Sequence, residues 1–233
     1  MSERKDFSNR VVVITGGSRG IGYAAAQAFL THGAKVAFCA TDAARLQQAA
    51  GALRELGTVE AMVADVRDYA QSTRFVDHVL QRFKKIDVLV NNAGRVWSGD
   101  FATQSQSTID DVLEANLKGT LYLTRLVLPD MLARRDGVIV NVASGAGLSG
   151  IPGIAAYCAT KYGVIGFTEA LAQEVADQGV RVHVVCPGRV ATDMQVQYSG
   201  NRIGMPPERV ADAILKLAGA QPPVRSGEYL VVG

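Results

Sequence analysis

Cysteine is scarce in this chain: Cys39, Cys158 and Cys186 are the only three, and they lie far apart. An odd, scattered set does not make a closed disulfide framework, and no pair has the spacing of a metal site. Each stands among small or apolar residues, which points to buried free thiols and a reducing compartment. Long apolar runs are also missing. Nothing approaches the ~18 consecutive apolar residues of a membrane-spanning helix, and the polar start, Met1 to Arg10, has no apolar signal core. The expected location is therefore the cytoplasm, with no membrane contact. Charge of one sign is not in excess, the formal net charge being +2. The basic pair Arg134-Arg135 is followed at once by Asp136. A nucleic-acid surface needs a basic stripe, so no nucleic-acid partner is expected.

Against these absences stands an ordinary globular composition, 48% apolar and 20% charged over 233 residues. A chain of this size buries roughly three quarters of its unfolded surface, so its core needs no covalent staples. Seven short apolar, β-branched runs recur: Val11 to Thr15, Lys35 to Ala40, Val59 to Val63, Ile86 to Asn91, Val138 to Val142, Val180 to Cys186 and Tyr229 to Val232. Several are apolar on both faces, the mark of strands covered on each side. Between them, Ile21 to His32, Ala43 to Leu56, Tyr69 to Phe83, Ser107 to Arg134, Ile154 to Gln178 and Pro207 to Leu217 carry helical periodicity. Gly33, Gly57 and Gly179 stand as helix stops. The alternation predicts an α/β fold: one domain over residues 1–233, a doubly wound parallel sheet of about seven strands with helices on both faces. In such sheets ligands bind beyond the carboxyl ends of the strands. The polar and glycine-rich segments follow Thr15, Ala40, Asn91, Val142 and Cys186, at those ends.

The first strand runs into Thr15-Gly-Gly-Ser-Arg-Gly-Ile-Gly22 and opens directly into a helix. Glycines there permit a tight turn and close approach of a pyrophosphate, while the helix start offers unpaired N–H groups. Gly20, Gly22 and Ala25 also fit the Rossmann-type dinucleotide fingerprint. Further on come Asn91-Asn92-Ala93-Gly94, Asn116, Ser144, Tyr157 four residues before Lys161, and Pro187-Gly188 followed by Val190 and Thr192. In order and spacing this set, which covers nearly the whole chain, resembles the short-chain dehydrogenase/reductase family, and among its members the 3-oxoacyl-carrier-protein reductases.

The resemblance implies an oxidoreductase that interconverts a ketone and a secondary alcohol. Tyr157 and Lys161 share one helix face at this spacing. A free tyrosine titrates near ~10, too high for good proton exchange at neutral pH. A lysine cation about 5 Å away is worth about 3 kcal/mol at an effective dielectric of about 20, enough to lower the phenol by roughly two units. Ser144 would hold the substrate oxygen. By resemblance, Lys161 also binds the nicotinamide ribose. Asn116 anchors a water that passes protons to Lys161, or else faces solvent or its own backbone. The family positions for the cofactor fall on Thr15, Gly16, Ser18, Arg19, Gly20, Ile21 and Gly22 in the turn. They continue with Asp65 and Val66 at the adenine, Asn92, Ala93 and Gly94 along the cleft, and Pro187, Gly188, Val190 and Thr192 at the nicotinamide. Asp65 reads equally well as a helix N-cap. No metal is implied.

NAD-specific relatives carry an acid at the end of the second strand. That slot is Ala40, followed by Thr41, and Arg19 lies in the turn. The pattern resembles NADP-dependent reductases, whose basic and hydroxyl residues hold the 2′-phosphate, so NADP(H) is favoured over NAD(H). Asp42 is the competing acid; its place before Ala43 and Ala44 reads as a helix N-cap. After Thr192, the segment Asp193 to Pro206 is short and polar and is expected to be mobile, with Met194, Val196, Tyr198, Ile203 and Met205 as substrate contacts. Arg95, Val96 and Trp97 are candidates for the pocket wall, Trp97 equally for plain packing. The expected partner is a small carbonyl or alcohol substrate, 3-oxoacyl or general, and the resemblance implies a homo-oligomer, tetramer or dimer. Two other readings stand beside this one: an NAD-dependent alcohol or sugar dehydrogenase, and a catalytically silent dinucleotide-binding sensor or scaffold.

Overall fold

The structure is a computed structural model that describes residues 7–233. The polar start read from the sequence lies outside the described residues as far as Asp6. Seven strands form one all-parallel sheet in the order β3-β2-β1-β4-β5-β6-β7. They are β1 (Val11–Thr15), β2 (Lys35–Ala40), β3 (Val59–Val63), β4 (Val88–Asn91), β5 (Gly137–Val142), β6 (Val180–Pro187) and β7 (Tyr229–Val232). The helices are α1 (Gly20–Thr31), α2 (Ala43–Arg54), α3 (Tyr69–Phe83), α4 (Gln106–Leu113), α5 (Gly119–Arg134), α6 (Ala155–Glu174), α7 (Asp193–Ser199) and α8 (Pro207–Ala218). The Rossmann-type layering read from the alternating pattern is the one observed.

Side chains of a strand point alternately to its two faces. On β1, Val12 and Ile14 therefore join one core with α1, α2 and α8, while Val11 and Val13 join the other with α3, α5 and α6. Burying each such valine or isoleucine contributes about 1.5–3 kcal/mol, which is why these apolar strands hold the sheet's centre. Helix starts are set by short polar caps. Asp42 accepts a hydrogen bond from the backbone of Arg45 at the start of α2, Asp68 from Gln71 at α3, and Ser105 from Thr108 at α4. Asp42 is thus the N-cap its position suggested. The cap of α3 is Asp68 and not Asp65, because three more residues pass before the chain turns helical.

The stretch Ser107 to Arg134 differs from its reading as one helix. Between α4 and α5, Glu114–Lys118 winds as a π-helical segment that contains Asn116. Such a bulge leaves the overall periodicity intact, and π-bulges gather at functional sites. A second departure is α7: Asp193–Ser199, expected to be mobile, form a helix capped by the Thr192 hydroxyl and closed by Gly200 in a left-handed conformation.

A buried polar chain ties the strands at the centre to the helices behind them. Asn91 Nδ2 donates to Thr124 Oγ1 at 3.0 Å and to Asn141 Oδ1 at 2.9 Å, and Asn141 Nδ2 donates to Thr168 Oγ1 at 2.8 Å. These bonds fix α6 against the β4–β5 pair, and α6 carries Tyr157 and Lys161.

Candidate active site

Strand order reverses between β1 and β4, and a cleft opens at their carboxyl ends. Thr15 clamps the two strands: its hydroxyl accepts from the backbone N–H groups of Asn92 and Ala93, both at 3.0 Å. Asn92 Nδ2 returns bonds to the carbonyls of Thr15 and Gly16 at 2.9 and 3.2 Å. The resulting cleft has a volume of about 680 Å³. Of the predicted site residues, nineteen reach its wall: Gly16, Ser18, Arg19, Gly20 and Ile21; Ala40 and Thr41; Asp65 and Val66; Asn92, Ala93 and Gly94; Ser144, Tyr157 and Lys161; Pro187, Gly188, Val190 and Thr192. Thr15, Gly22 and Asn116 lie behind the wall and support it.

The turn fits an anionic dinucleotide. A Cβ on Gly22 would stand 2.3 Å from the carbonyl oxygen of Gly16, so only glycine allows this closeness. Gly16 takes a left-handed conformation with φ +69°. At the start of α1, Arg19 makes no side-chain cap, and the first turn holds no acid. Its N–H groups are left for a ligand, and an N-terminus in that state favours negative charge.

Asn116 is only 1% exposed. Its Oδ1 accepts from Arg95 N at 2.7 Å, and its Nδ2 donates to Arg95 O at 2.9 Å and Thr160 Oγ1 at 3.1 Å. It faces neither solvent nor its own backbone. Instead it pins the segment after Gly94 to α6. Asp65 is gripped by Arg67, whose guanidinium also reaches Asp111. Burial alone would raise the Asp65 carboxyl, but the Arg67 hydrogen bonds outweigh it and hold it below the usual carboxylate range.

Tyr157 is half-buried one turn from Lys161, in a cluster with Val96, Ala146, Ile154, Cys158, Met194 and Tyr198. The Lys161 ammonium sits 5.5 Å from the centroid of the Tyr157 ring and donates to the Val142 carbonyl at 2.8 Å. The acidity differs from the sequence-based expectation. Burial pushes the Tyr157 phenol up to about 12, with hydrogen bonding to Ser144 opposing the rise. Burial also pushes the Lys161 ammonium down to about 8. Desolvation of the phenolate decides the direction, and the Lys161 ammonium is turned toward the Val142 carbonyl. The pair is a protonated phenol beside a charged ammonium at neutral pH, an arrangement that can donate a proton to an oxygen held at Ser144.

Around this pair, Arg95, Val96, Trp97, Met194 and Tyr198 line the cleft as the sequence suggested, whereas Val196, Ile203 and Met205 do not. Val196 and Ile203 are exposed, and Met205 packs on the sheet's core. Ile151, Ile154, Arg189 and Gln197 also line the cleft and were not read from the sequence. Arg189 follows the Pro187-Gly188 pair directly and was the most accessible to such a reading. The cysteines are free and buried, as composition indicated.

The short chain dehydrogenase family model matches residues 10–202. Among curated relatives, 2-(S)-hydroxypropyl-CoM dehydrogenase 3 of Xanthobacter autotrophicus is 36% identical across 100% of this chain and 97% of its own. The 3-oxoacyl-[acyl-carrier-protein] reductase FabG of Vibrio cholerae is 34% identical across 97% of each. Among solved structures, levodione reductase superposes with a TM-score of 0.92 at 28% identity, covering 97% of this chain and 96% of the other. The fold, the turn and the Ser144–Tyr157–Lys161 arrangement point the same way as these likenesses: this chain is an oxidoreductase of the short-chain dehydrogenase/reductase family.

Proposed function

We propose that this chain is an NADP(H)-dependent reductase that interconverts a ketone and a secondary alcohol. The observation that carries the proposal is the meeting of Ser144, Tyr157 and Lys161 on the wall of the cleft, with the Lys161 ammonium 5.5 Å from the Tyr157 ring centroid. Ser144 holds the substrate oxygen, and Tyr157 gives that oxygen its proton as negative charge develops on it. Lys161 steadies the charge then left on the phenol and would hold the nicotinamide ribose. Asn116 acts from behind by fixing the backbone of Arg95. When bound, the nicotinamide supplies the hydride that the carbonyl carbon takes up.

The residues present suit that cofactor. Gly16, Ser18, Arg19, Gly20 and Ile21 would cradle the pyrophosphate, backed by Thr15 and Gly22, with Asp65 and Val66 at the adenine end. Asn92 to Gly94 line the cleft, and Pro187, Gly188, Val190 and Thr192 would meet the nicotinamide. NADP is preferred because no acid stands at Ala40 or Thr41, Asp42 is committed to capping α2, and Arg19 stands at the turn. The apolar wall of Val96, Ile151, Ile154 and Met194 supports a 3-oxoacyl or similar carbonyl substrate. On α6, Tyr162 is exposed and Gly166 faces open space, which supports packing against a second copy in a homo-oligomer.

Loss of reduced-cofactor absorbance with a panel of ketones tests the reading. Tyr157→Phe should lower kcat by about 10²–10⁴-fold with little change in cofactor affinity. Activity that survives the substitution refutes the role of Tyr157.

A further inference from the structure

Asp193, the first residue of α7, stands where the α7 side of the cleft meets the phosphate turn. Its Oδ2 accepts from Arg19 Nη1 at 2.7 Å and lies 3.5 Å from Arg45 Nη1, while its Oδ1 accepts from Arg202 Nη2. The three arginines come from three separate segments: the turn before α1, the first turn of α2, and the loop after α7. Arg202 is steadied further by the Ala191 carbonyl at 3.3 Å. Asp42 Oδ2 also stands 3.4 Å from Arg45 Nε, so three cations meet two carboxylates and the cluster keeps a net positive charge. All three guanidiniums are more than half exposed, so a soluble ligand can reach them.

A carboxylate is a poor match for such a cluster. It offers two oxygens and one charge, whereas a phosphate monoester carries about −1.5 to −2 and three acceptor oxygens. Guanidinium forks suit phosphate geometry in particular. Exposed carboxylate–arginine pairs contribute only about 0.2–1 kcal/mol each, so they yield readily to a better anion.

We propose that Asp193 is a specificity-determining residue: it is the internal occupant of a cradle, formed by Arg19, Arg45 and Arg202, that takes the 2′-phosphate of the dinucleotide. This rests on the NADP reading above. A 2′-phosphate has to break the Asp193 pairs and then stand beside a like charge. A dinucleotide without that phosphate leaves the pairs intact. Asp193 therefore narrows the preference for the phosphorylated cofactor. It also ties that choice to α7, whose Met194 and Tyr198 line the cleft near Tyr157.

The experiment is calorimetric titration of the full chain with NADPH and NADH, in wild type and in Asp193→Asn, which preserves the side chain's size. The ratio of the two dissociation constants within each protein cancels any general loss of folding. The ratio should shift toward NADPH by about three- to tenfold in the variant. A companion variant, Arg202→Ala, should weaken NADPH and leave NADH unchanged. A wild type that prefers NADPH, with the same ratio in Asp193→Asn, overturns this inference alone; so does equal weakening of both cofactors by Arg202→Ala. A wild type that prefers NADH overturns the cofactor reading and this inference with it.

Discussion

Replacing Lys161 with methionine should stabilise the protein while removing its activity. Lys161 is 4% exposed, and burial lowers its pKa from 10.5 to about 8. At ~1.36 kcal/mol per unit, that interval corresponds to about 3 kcal/mol. The folded value is the lower one, so the unfolded chain holds this proton more tightly. Below the folded pKa the lysine is charged in both states, and the folded state carries the full cost. Between about 8 and 10.5 the folded lysine loses its proton first and the cost fades. Above the unfolded pKa it is gone. Lys161→Met removes the charge and keeps an unbranched stem. It also takes the donor from the Val142 carbonyl, and leaving such a buried acceptor unsatisfied costs about 1–3 kcal/mol. The balance favours the variant by about 1 kcal/mol near neutral pH, or about 2–4 °C in melting temperature for a chain of this length. Thermal and urea denaturation of both proteins, without added dinucleotide, measures it. Near pH ~10 the wild type regains most of the cost, and the order of stability reverses. A variant that is less stable by the same amount at both pH values refutes the argument that burial of charge strains this site.

Two further substitutions probe the supports behind the cleft. Gly22→Ala places a methyl 2.3 Å from the Gly16 carbonyl oxygen and 2.6 Å from Asn92 Nδ2. It should cost about 1–3 kcal/mol in denaturant melts and weaken NADPH binding, because it opens the β1–β4 clamp as well as the turn. Asn116→Ala strands the Arg95 backbone N–H and carbonyl, while the Thr160 hydroxyl keeps its bond to the Tyr157 carbonyl. A loss of about 2–4 kcal/mol is expected by the same melts, and kcat should fall through misplacement of the Arg95 segment.

The strands and the turn were legible because their signals are local. Val11 to Thr15 is apolar on both faces, Gly20 and Gly22 follow at fixed offsets, and Asp42 stands immediately before its helix. The π segment at Asn116 was not legible, since one widened turn barely disturbs the apolar spacing of Ser107 to Arg134. Helix α7 was overlooked although Thr192-Asp193-Met194-Gln195 has the spacing of a capping box. Only half of the box forms: Gln195 N donates to Thr192, while the Gln195 side chain turns to Ser199. Polar, glycine-flanked composition outweighed that cue. The Arg19–Asp193 pair joins residues 174 positions apart, and nothing in either neighbourhood announces it. The acidity of Tyr157 escaped for a different reason. Helical spacing shows that Lys161 is near, but the desolvation that decides the sign depends on packing with residues such as Val96 and Met194, which arrive from other segments.

That desolvation bears on the direction of the chemistry. Moving a phenol from about 12 to ionisation at neutral pH requires about 7 kcal/mol. A cation about 5 Å from the phenolate oxygen offers about 3 kcal/mol of that at an effective dielectric of about 20. Burial opposes that share, so on the proposed mechanism alcohol oxidation, in which Tyr157 would first act as a base, gains from a second positive charge beside the phenol. Ketone reduction needs none, because it starts from the phenol in the state that burial prefers. It delivers the proton to an alkoxide, a far stronger base than phenolate. The same burial that strains Lys161 therefore keeps Tyr157 protonated, and on the proposed mechanism that state is the starting point for ketone reduction.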